Sequence, residues 1–155
     1  MSDKFLYVTY IRTTPEKLWE ALTKPEFTRV YWFGVTHDCD WQVGSPWRMS
    51  YADGRVTDAG EVAAIDRPRR LVLKWRNEWK PELKAEGYSR ATFELEQTGD
   101  MVKLTVRHEI DRDGSKLIEA VSGGWPKIIS NLKSLLETGS TVLQDPYPTP
   151  TAVSR

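Results

Sequence analysis

The chain has 155 residues, which at about 100–200 residues per domain predicts a single domain. Its 22 basic and 22 acidic side chains cancel, so it lacks the basic excess that gives most non-specific nucleic-acid affinity, and no nucleic-acid partner is expected. The single cysteine, Cys39, excludes an internal disulfide and favours a reducing compartment. No apolar run reaches the 18 or so residues of a membrane span, and the start lacks a signal-peptide pattern. We therefore expect a soluble, cytoplasmic protein.

Aromatic residues are the unusual part of the composition: seven Trp, six Tyr and four Phe. Large aromatic side chains dominate protein cores, and they also line small-molecule pockets. Composition leaves both interpretations open.

The first part of the chain predicts a strand followed by two short helices. Residues 4–12 are rich in β-branched and aromatic side chains, as strands are. Thr14 and Pro15 supply an N-cap hydroxyl and a first-turn proline, which start a helix. Pro25 repeats the signal and predicts a second helix over residues 25–31.

The middle of the chain predicts an antiparallel meander. Apolar and polar residues alternate with period two, and Asp53-Gly54 and Thr98-Gly99-Asp100 mark turns between strands. Such a meander has one buried and one solvated face. The side chains predicted to face inward include Trp47, Met49, Leu71, Leu73, Trp75, Ala91, Phe93, Leu95, Val102, Leu104, Val106 and His108.

The last element is an amphipathic helix. Apolar residues from Leu117 to Leu136 recur at spacings of three and four, and Gly139 suits the position after a helix. Gly123-Gly124 and Pro126 interrupt the pattern and predict a kink or a fresh helix start.

Together these elements predict an α+β fold in which a curved antiparallel sheet wraps around the long C-terminal helix. A helix does not fill a curved sheet completely, so we expect a cavity between them. The domain is predicted to cover residues 1–139, and residues 140–155, which contain three prolines, are predicted to form an extended tail.

Strand geometry accounts for three polar motifs without a binding or catalytic role. His37-Asp38-Cys39-Asp40 has the composition of a metal site, but in a strand at most two of its side chains converge, so no metal site is expected. Residues 74–80 mix bases and aromatics as single-strand binders do, yet strand parity places the charges on the face opposite the tryptophans. Glu94 and Glu96 lie on the solvated face, where a catalytic pair is not favoured.

His108 remains open between two roles. An inward histidine is more often hydrogen-bonded in place, but at a cavity mouth it becomes a polar contact for a ligand. The sequence contains no nucleophile elbow, phosphate-binding glycine loop, dinucleotide fingerprint or zinc-protease motif. We therefore predict no catalytic residue, no metal ligand and no cofactor.

Four segments resemble the START-like superfamily, which includes the birch-pollen-allergen fold and the polyketide cyclases. More narrowly, they resemble the prokaryotic relatives of the C-terminal domain of the heat-shock-protein-90 ATPase activator. The segments are IRTTPEKLWEALTKPEFTRVYWFG (11–34), WQVGSPW (41–47), GEVAAIDRPRRLVLKW (60–75) and GGWPKIISNLKSLLETG (123–139). The resemblance implies a helix-grip fold with a hydrophobic cavity between the sheet and the C-terminal helix.

The resemblance does not imply one activity, because these relatives include lipid carriers, cyclases and a stress-response co-chaperone. Eukaryotic activators also carry an N-terminal domain with a basic and tryptophan-containing motif, whereas this chain begins at the START-like strand, so strong chaperone activation is not expected. We expect non-catalytic binding of a small apolar or amphipathic ligand, aromatic ones included. The alternatives are a chaperone ATPase activator-like interaction module and, third, a polyketide cyclase-like or hydrolase-like enzyme.

The candidate ligand-binding residues are the aromatic and apolar side chains expected around the cavity, with one histidine as a polar contact. For each of them, simple packing in the core is an equally good interpretation. They are Trp32, Phe33, Trp47, Met49, Trp75, Phe93, His108, Trp125, Ile129 and Leu132.

Overall fold

Seven antiparallel strands form one curved sheet around a long C-terminal helix in the computed structural model, which describes residues 2–143. Two short helices follow the first strand, as the sequence predicts. The elements are β1 (Asp3–Ile11), α1 (Pro15–Thr23), α2 (Pro25–Tyr31), β2 (Thr36–Cys39), β3 (Pro46–Ser50), β4 (Val56–Asp66), β5 (Arg70–Asn77), α3 (Pro81–Lys84), β6 (Ser89–Thr98), β7 (Met101–Ile110) and α4 (Lys116–Thr138).

The strands lie in the order β1-β7-β6-β5-β4-β3-β2. Strands β2 to β7 therefore form a meander, and its last strand, β7, pairs with β1. The predicted alternation is observed in β7, where Val102, Leu104, Val106 and His108 are buried and their neighbours are half-buried. Val72 of β5 and Thr92 of β6, which the alternation places on the solvated face, are buried as well. The α+β prediction and the helix-grip fold are confirmed.

Two strands approach each other so closely at Gly60 that the position has no room for a side chain. In β4, a Cβ atom built on Gly60 would lie 1.7 Å from the carbonyl oxygen of Lys74 on β5. The pairing of β4 with β5 also shifts register between Val62 and Ala64. Such bulges bend strands, and they contribute here to the curvature of the sheet.

The two short helices begin as their sequence signals predict. The Thr14 hydroxyl accepts a hydrogen bond from the Lys17 amide at 3.2 Å, and prolines occupy the first turns of α1 and α2. The buried Tyr31 hydroxyl donates to the carbonyl oxygen of Ala21 at 2.9 Å and joins the two helices.

α4 is a single helix of 23 residues with Pro126 inside it, so the alternative of a fresh helix start at that point is wrong. A proline removes one helical hydrogen bond. Burial of Trp125, Ile128 and Ile129 against the sheet outweighs that loss, because tertiary packing of an apolar face supplies most helix stability in proteins. Gly139 ends α4 with a φ of 89°, as expected.

A buried amide fixes the chain beyond α4. The side-chain oxygen of Asn131 accepts hydrogen bonds from the amides of Val142 (3.0 Å) and Leu143 (2.8 Å). Most of the predicted tail, residues 144–155, lies outside the described residues. Within residues 2–143, every helix falls short of the length or apolarity that crossing a bilayer requires.

Candidate functional site

A cavity of about 480 Å³ lies between the first half of α4, the segment that follows α2, strands β3 to β5, and α3. It reaches the surface, because Trp79, Lys80 and Ala120 on its lining are exposed. The remaining lining residues are Trp32, Phe33, Val35, Met49, Tyr51, Arg55, Thr57, Asp58, Trp75, Asn77, Leu83, Leu117, Val121, Gly124, Trp125 and Ile128.

Half of the ten residues predicted from the sequence lie on this wall: Trp32, Phe33, Met49, Trp75 and Trp125. The other five are buried elsewhere in the core and are not part of the lining: Trp47, Phe93, His108, Ile129 and Leu132. The periodicity of a strand or helix identifies its inward face, but only part of that inward face lines the cavity.

Three indoles form the aromatic part of the wall. The ring centre of Trp125 lies 5.4 Å from that of Trp32 and 5.6 Å from that of Trp75, with interplanar angles of 65° and 63°. Edge-to-face pairs of this kind are favourable beyond the area that they bury. The wall is therefore packed and preformed.

His108 is hydrogen-bonded to the indole of Trp125 and, through Ser89, to the backbone of Trp75. The Trp125 indole N–H donates to Nδ1 of His108 at 3.2 Å, so the ring proton of His108 resides on Nε2 and is donated to Oγ of Ser89 at 2.8 Å. The Ser89 hydroxyl in turn donates to the carbonyl oxygen of Trp75 at 2.9 Å. Burial lowers the pKa of His108 to about 3, so the ring is neutral. Both of its nitrogens are engaged by protein groups.

Asp58 is a buried acid on the cavity wall. It is 7% exposed, and its Oδ2 accepts the indole N–H of Trp75 at 2.7 Å. Burial raises the pKa of Asp58 to about 6, against the lowering effect of hydrogen bonds from Thr57 and Trp75. Within residues 2–143, no basic side chain forms an ion pair with this carboxyl group.

The rim carries a cation between two aromatic rings. The guanidinium carbon of Arg55 lies 4.8 Å from the ring centre of Tyr51 and 4.7 Å from that of Trp79. Its Nε is paired with Asp53 at 2.7 Å. The side-chain oxygen of Asn77 accepts from the amides of Trp79 and Lys80, and so fixes the approach to α3. The rim is thus an ordered part of the site.

The His37 segment adopts the extended backbone expected for it. Nδ1 of His37 accepts the indole N–H of Trp47 at 2.9 Å, and burial lowers the pKa of His37 to about 3. In the described part of the chain, no three His, Cys, Asp or Glu side chains are grouped so that they could hold a metal ion. Nothing in residues 2–143 thus marks a metal centre.

A model of the family described as "Activator of Hsp90 ATPase homolog 1-like protein" matches residues 12–137. The chain belongs to this family. No protein with a curated description matches it significantly by sequence.

Solved structures similar to this chain share its fold. Protein MLL2253 from Mesorhizobium loti is 26% identical with a TM-score of 0.74, over 87% of this chain and 97% of that one. The Aha1 dimer from Colwellia psychrerythraea is 18% identical with a TM-score of 0.69, over 88% and 98%. PFC0360w, an HSP90 activator from Plasmodium falciparum, is 23% identical with a TM-score of 0.69, over 86% and 95%.

Sequence reasoning missed the polar lining of this family member. Asp58 shares the inner face of β4 with Gly60 and Val62, so its parity was a usable signal. Asn77 has the same parity as Trp75 on β5, so it too could have been predicted, whereas Arg55 precedes β4 and has no strand parity. α3, which contributes Leu83 to the wall, was also missed, because four residues are too few for a helical period.

Proposed function

We propose that the chain binds a small amphipathic ligand with an aromatic or otherwise apolar body in this cavity, and that it does not change the ligand chemically. The observation that carries the proposal is the preformed tryptophan wall of a cavity of about 480 Å³. Cavities of about 300–1,000 Å³ with apolar walls and a few polar groups are typical of small-molecule sites.

The position of the polar groups supports an amphipathic occupant. Trp32, Trp75 and Trp125 present apolar surface, whereas Asp58 and Asn77 place oxygen atoms on the β4 and β5 side of the same cavity. A purely hydrocarbon ligand would displace water from these polar groups and offer them no hydrogen bond in return.

Titration with N-phenyl-1-naphthylamine, an apolar probe that fluoresces when bound, tests the proposal. We expect one site per chain and quenching of tryptophan emission. Val121→Trp would fill the cavity from α4 and weaken binding at least about tenfold, since a full-sized indole competes for the same volume. Glu119→Trp is the matched control, because Glu119 is exposed on the same helix and is not part of the lining.

Folded protein that fails to bind the probe up to its solubility limit would refute the proposal. Equal binding by both tryptophan variants would also contradict it, because the probe would then occupy some other surface.

A second candidate, a chaperone interaction module, is favoured by the family match over residues 12–137. The test is the ATPase rate of an Hsp90 from the same organism in the presence of this chain. A saturable, several-fold increase supports this function, and an unchanged rate with no detectable complex contradicts it.

A further inference from the structure

We infer that the ligand carries an amine in its cationic form, and that the Asp58 carboxylate receives this group inside the cavity. The inference rests on the proposed ligand-binding function and specifies the chemistry of the ligand.

Asp58 is buried without a cationic partner in the described part of the chain. Its carboxyl group is 7% exposed, and the donor that hydrogen-bonds to it is neutral, the indole of Trp75. A buried carboxylate is costly unless it is paired, and the fold does not need one here, because a neutral amide oxygen would accept the same indole proton. An ammonium group in the cavity would supply the missing charge.

The charges around Asp58 favour a cation over an anion. The negative charge of Glu78 raises the pKa of Asp58. Glu78 itself forms ion pairs with Arg76 and Lys84. The cations of the lining are Arg55 and Lys80. Arg55 is already paired with Asp53, and Lys80 is exposed to water, which screens its charge. A ligand carboxylate would therefore meet Asp58 without a free buried cation.

The indoles of the wall also attract a cation. Trp32, Trp75 and Trp125 line the cavity together with Asp58, and the faces of aromatic rings attract ammonium groups, indoles most strongly. An ammonium group attached to an aromatic body would meet the carboxylate and an indole face at once.

Three probes of similar size separate these alternatives: 2-(aminomethyl)naphthalene, 2-ethylnaphthalene and 2-naphthoate, each measured by calorimetry at pH 7. We expect the amine to bind at least about tenfold more tightly than the hydrocarbon, as one charged hydrogen bond provides. Asp58→Asn should remove this preference, so that the amine and the hydrocarbon bind with similar affinity. Asp38→Asn is the matched control, since Asp38 is an exposed carboxylate that, like its partner Arg48, is not part of the lining, and it should keep the preference.

Proton release provides a readout that needs no variant. At pH 6 part of Asp58 is protonated, so binding of the amine should release protons, and binding of 2-ethylnaphthalene should not. Calorimetry in two buffers with different ionisation enthalpies measures this release. It supports the inference even if Asp58→Asn fails to fold.

Two results would overturn the inference and leave the proposed function intact: equal affinity for amine and hydrocarbon, or tightest binding of the naphthoate. An amine preference that survives in folded Asp58→Asn would also overturn it. Failure of all three probes to bind folded protein would instead refute the proposed function itself.

Discussion

The Trp125 indole and Nδ1 of His108 are joined by a hydrogen bond of 3.2 Å that links the middle of α4 to β7. Trp125 is both a wall of the cavity and a member of the core, since it is 2% exposed and its ring centre lies 5.6 Å from that of Phe93. The cavity thus borders directly on the most densely aromatic part of the molecule. If the cavity binds a ligand as proposed, we expect changes at this one side chain to affect both binding and stability.

Ser89→Ala tests the hydrogen-bonded chain behind the wall. The change leaves the buried Nε2–H of His108 without its acceptor, and the carbonyl oxygen of Trp75 loses the hydrogen bond donated by Ser89. We expect a loss of about 1–3 kcal/mol in the free energy of unfolding, measured by urea denaturation. Ser122→Ala is the control, because the Ser122 hydroxyl bonds only within the exposed side of α4, and it should change stability by less than about 0.5 kcal/mol.

Trp125→Ala should lower both stability and ligand affinity. Removal of a buried aromatic side chain costs about 3–5 kcal/mol, and the lost wall should weaken N-phenyl-1-naphthylamine binding about tenfold. Ile129→Ala is the matched control on the next turn of α4. Ile129 is 1% exposed and does not line the cavity, so it should lose about 2–5 kcal/mol with unchanged affinity. Unchanged affinity in folded Trp125→Ala would remove Trp125 from the site.

The elements of this fold follow from local sequence signals to a large extent. The period-two runs of β5, β6 and β7 and the apolar stripe of α4 are long enough to decide both element type and inward face. Pro126 shows the limit of local rules, since tertiary burial of its neighbours keeps α4 continuous through it.

The site was harder to predict because a cavity is a property of how elements meet. Phe93 and Trp75 both face inward on neighbouring strands, but Phe93 pairs with Leu71, at the other end of β5 from Trp75, and only Trp75 reaches the cavity. The partner of His108 could not be deduced either, because 17 residues and a change of element separate it from Trp125. Periodicity predicts which side chains point inward, but only the three-dimensional packing shows which of them line the cavity.

Two glycines should respond in opposite ways to alanine. Gly60→Ala places a methyl group against the backbone of Lys74, which no side-chain rotation relieves, so we expect a loss of at least about 2 kcal/mol. Gly123 lies within α4, is exposed, and has no atom within 4 Å of a built Cβ. Gly123→Ala should therefore raise stability by about 0.5–1 kcal/mol, because alanine is the better helix former. Thermal denaturation of both variants checks the pair, and a stable Gly60→Ala would contradict the observed strand approach.

Asp58 should give stability an opposite pH dependence to that of the buried histidines. The pKa values of His37 and His108 fall from 6.5 to about 3 on folding, so the unfolded chain takes up protons first and acidification below pH 6.5 destabilises the protein. The pKa of Asp58 rises from 3.8 to about 6, so the folded chain takes up this proton first. Acidification from pH 6 to 4 therefore stabilises the fold through Asp58 and partly offsets the histidines.

Asp58→Asn removes this offset, so its free energy of unfolding should fall more steeply than that of the wild type between pH 6 and 4. One group contributes at most about 1.4 kcal/mol per pH unit to the difference in slope. Urea denaturation at half-unit pH intervals measures it. Asp53→Asn should follow the wild type above pH 4, because the exposed Asp53 has its pKa lowered by Arg55 and titrates below that window. Parallel curves for wild type and Asp58→Asn would show that Asp58 stays ionised in the folded protein and would contradict the effect of its burial.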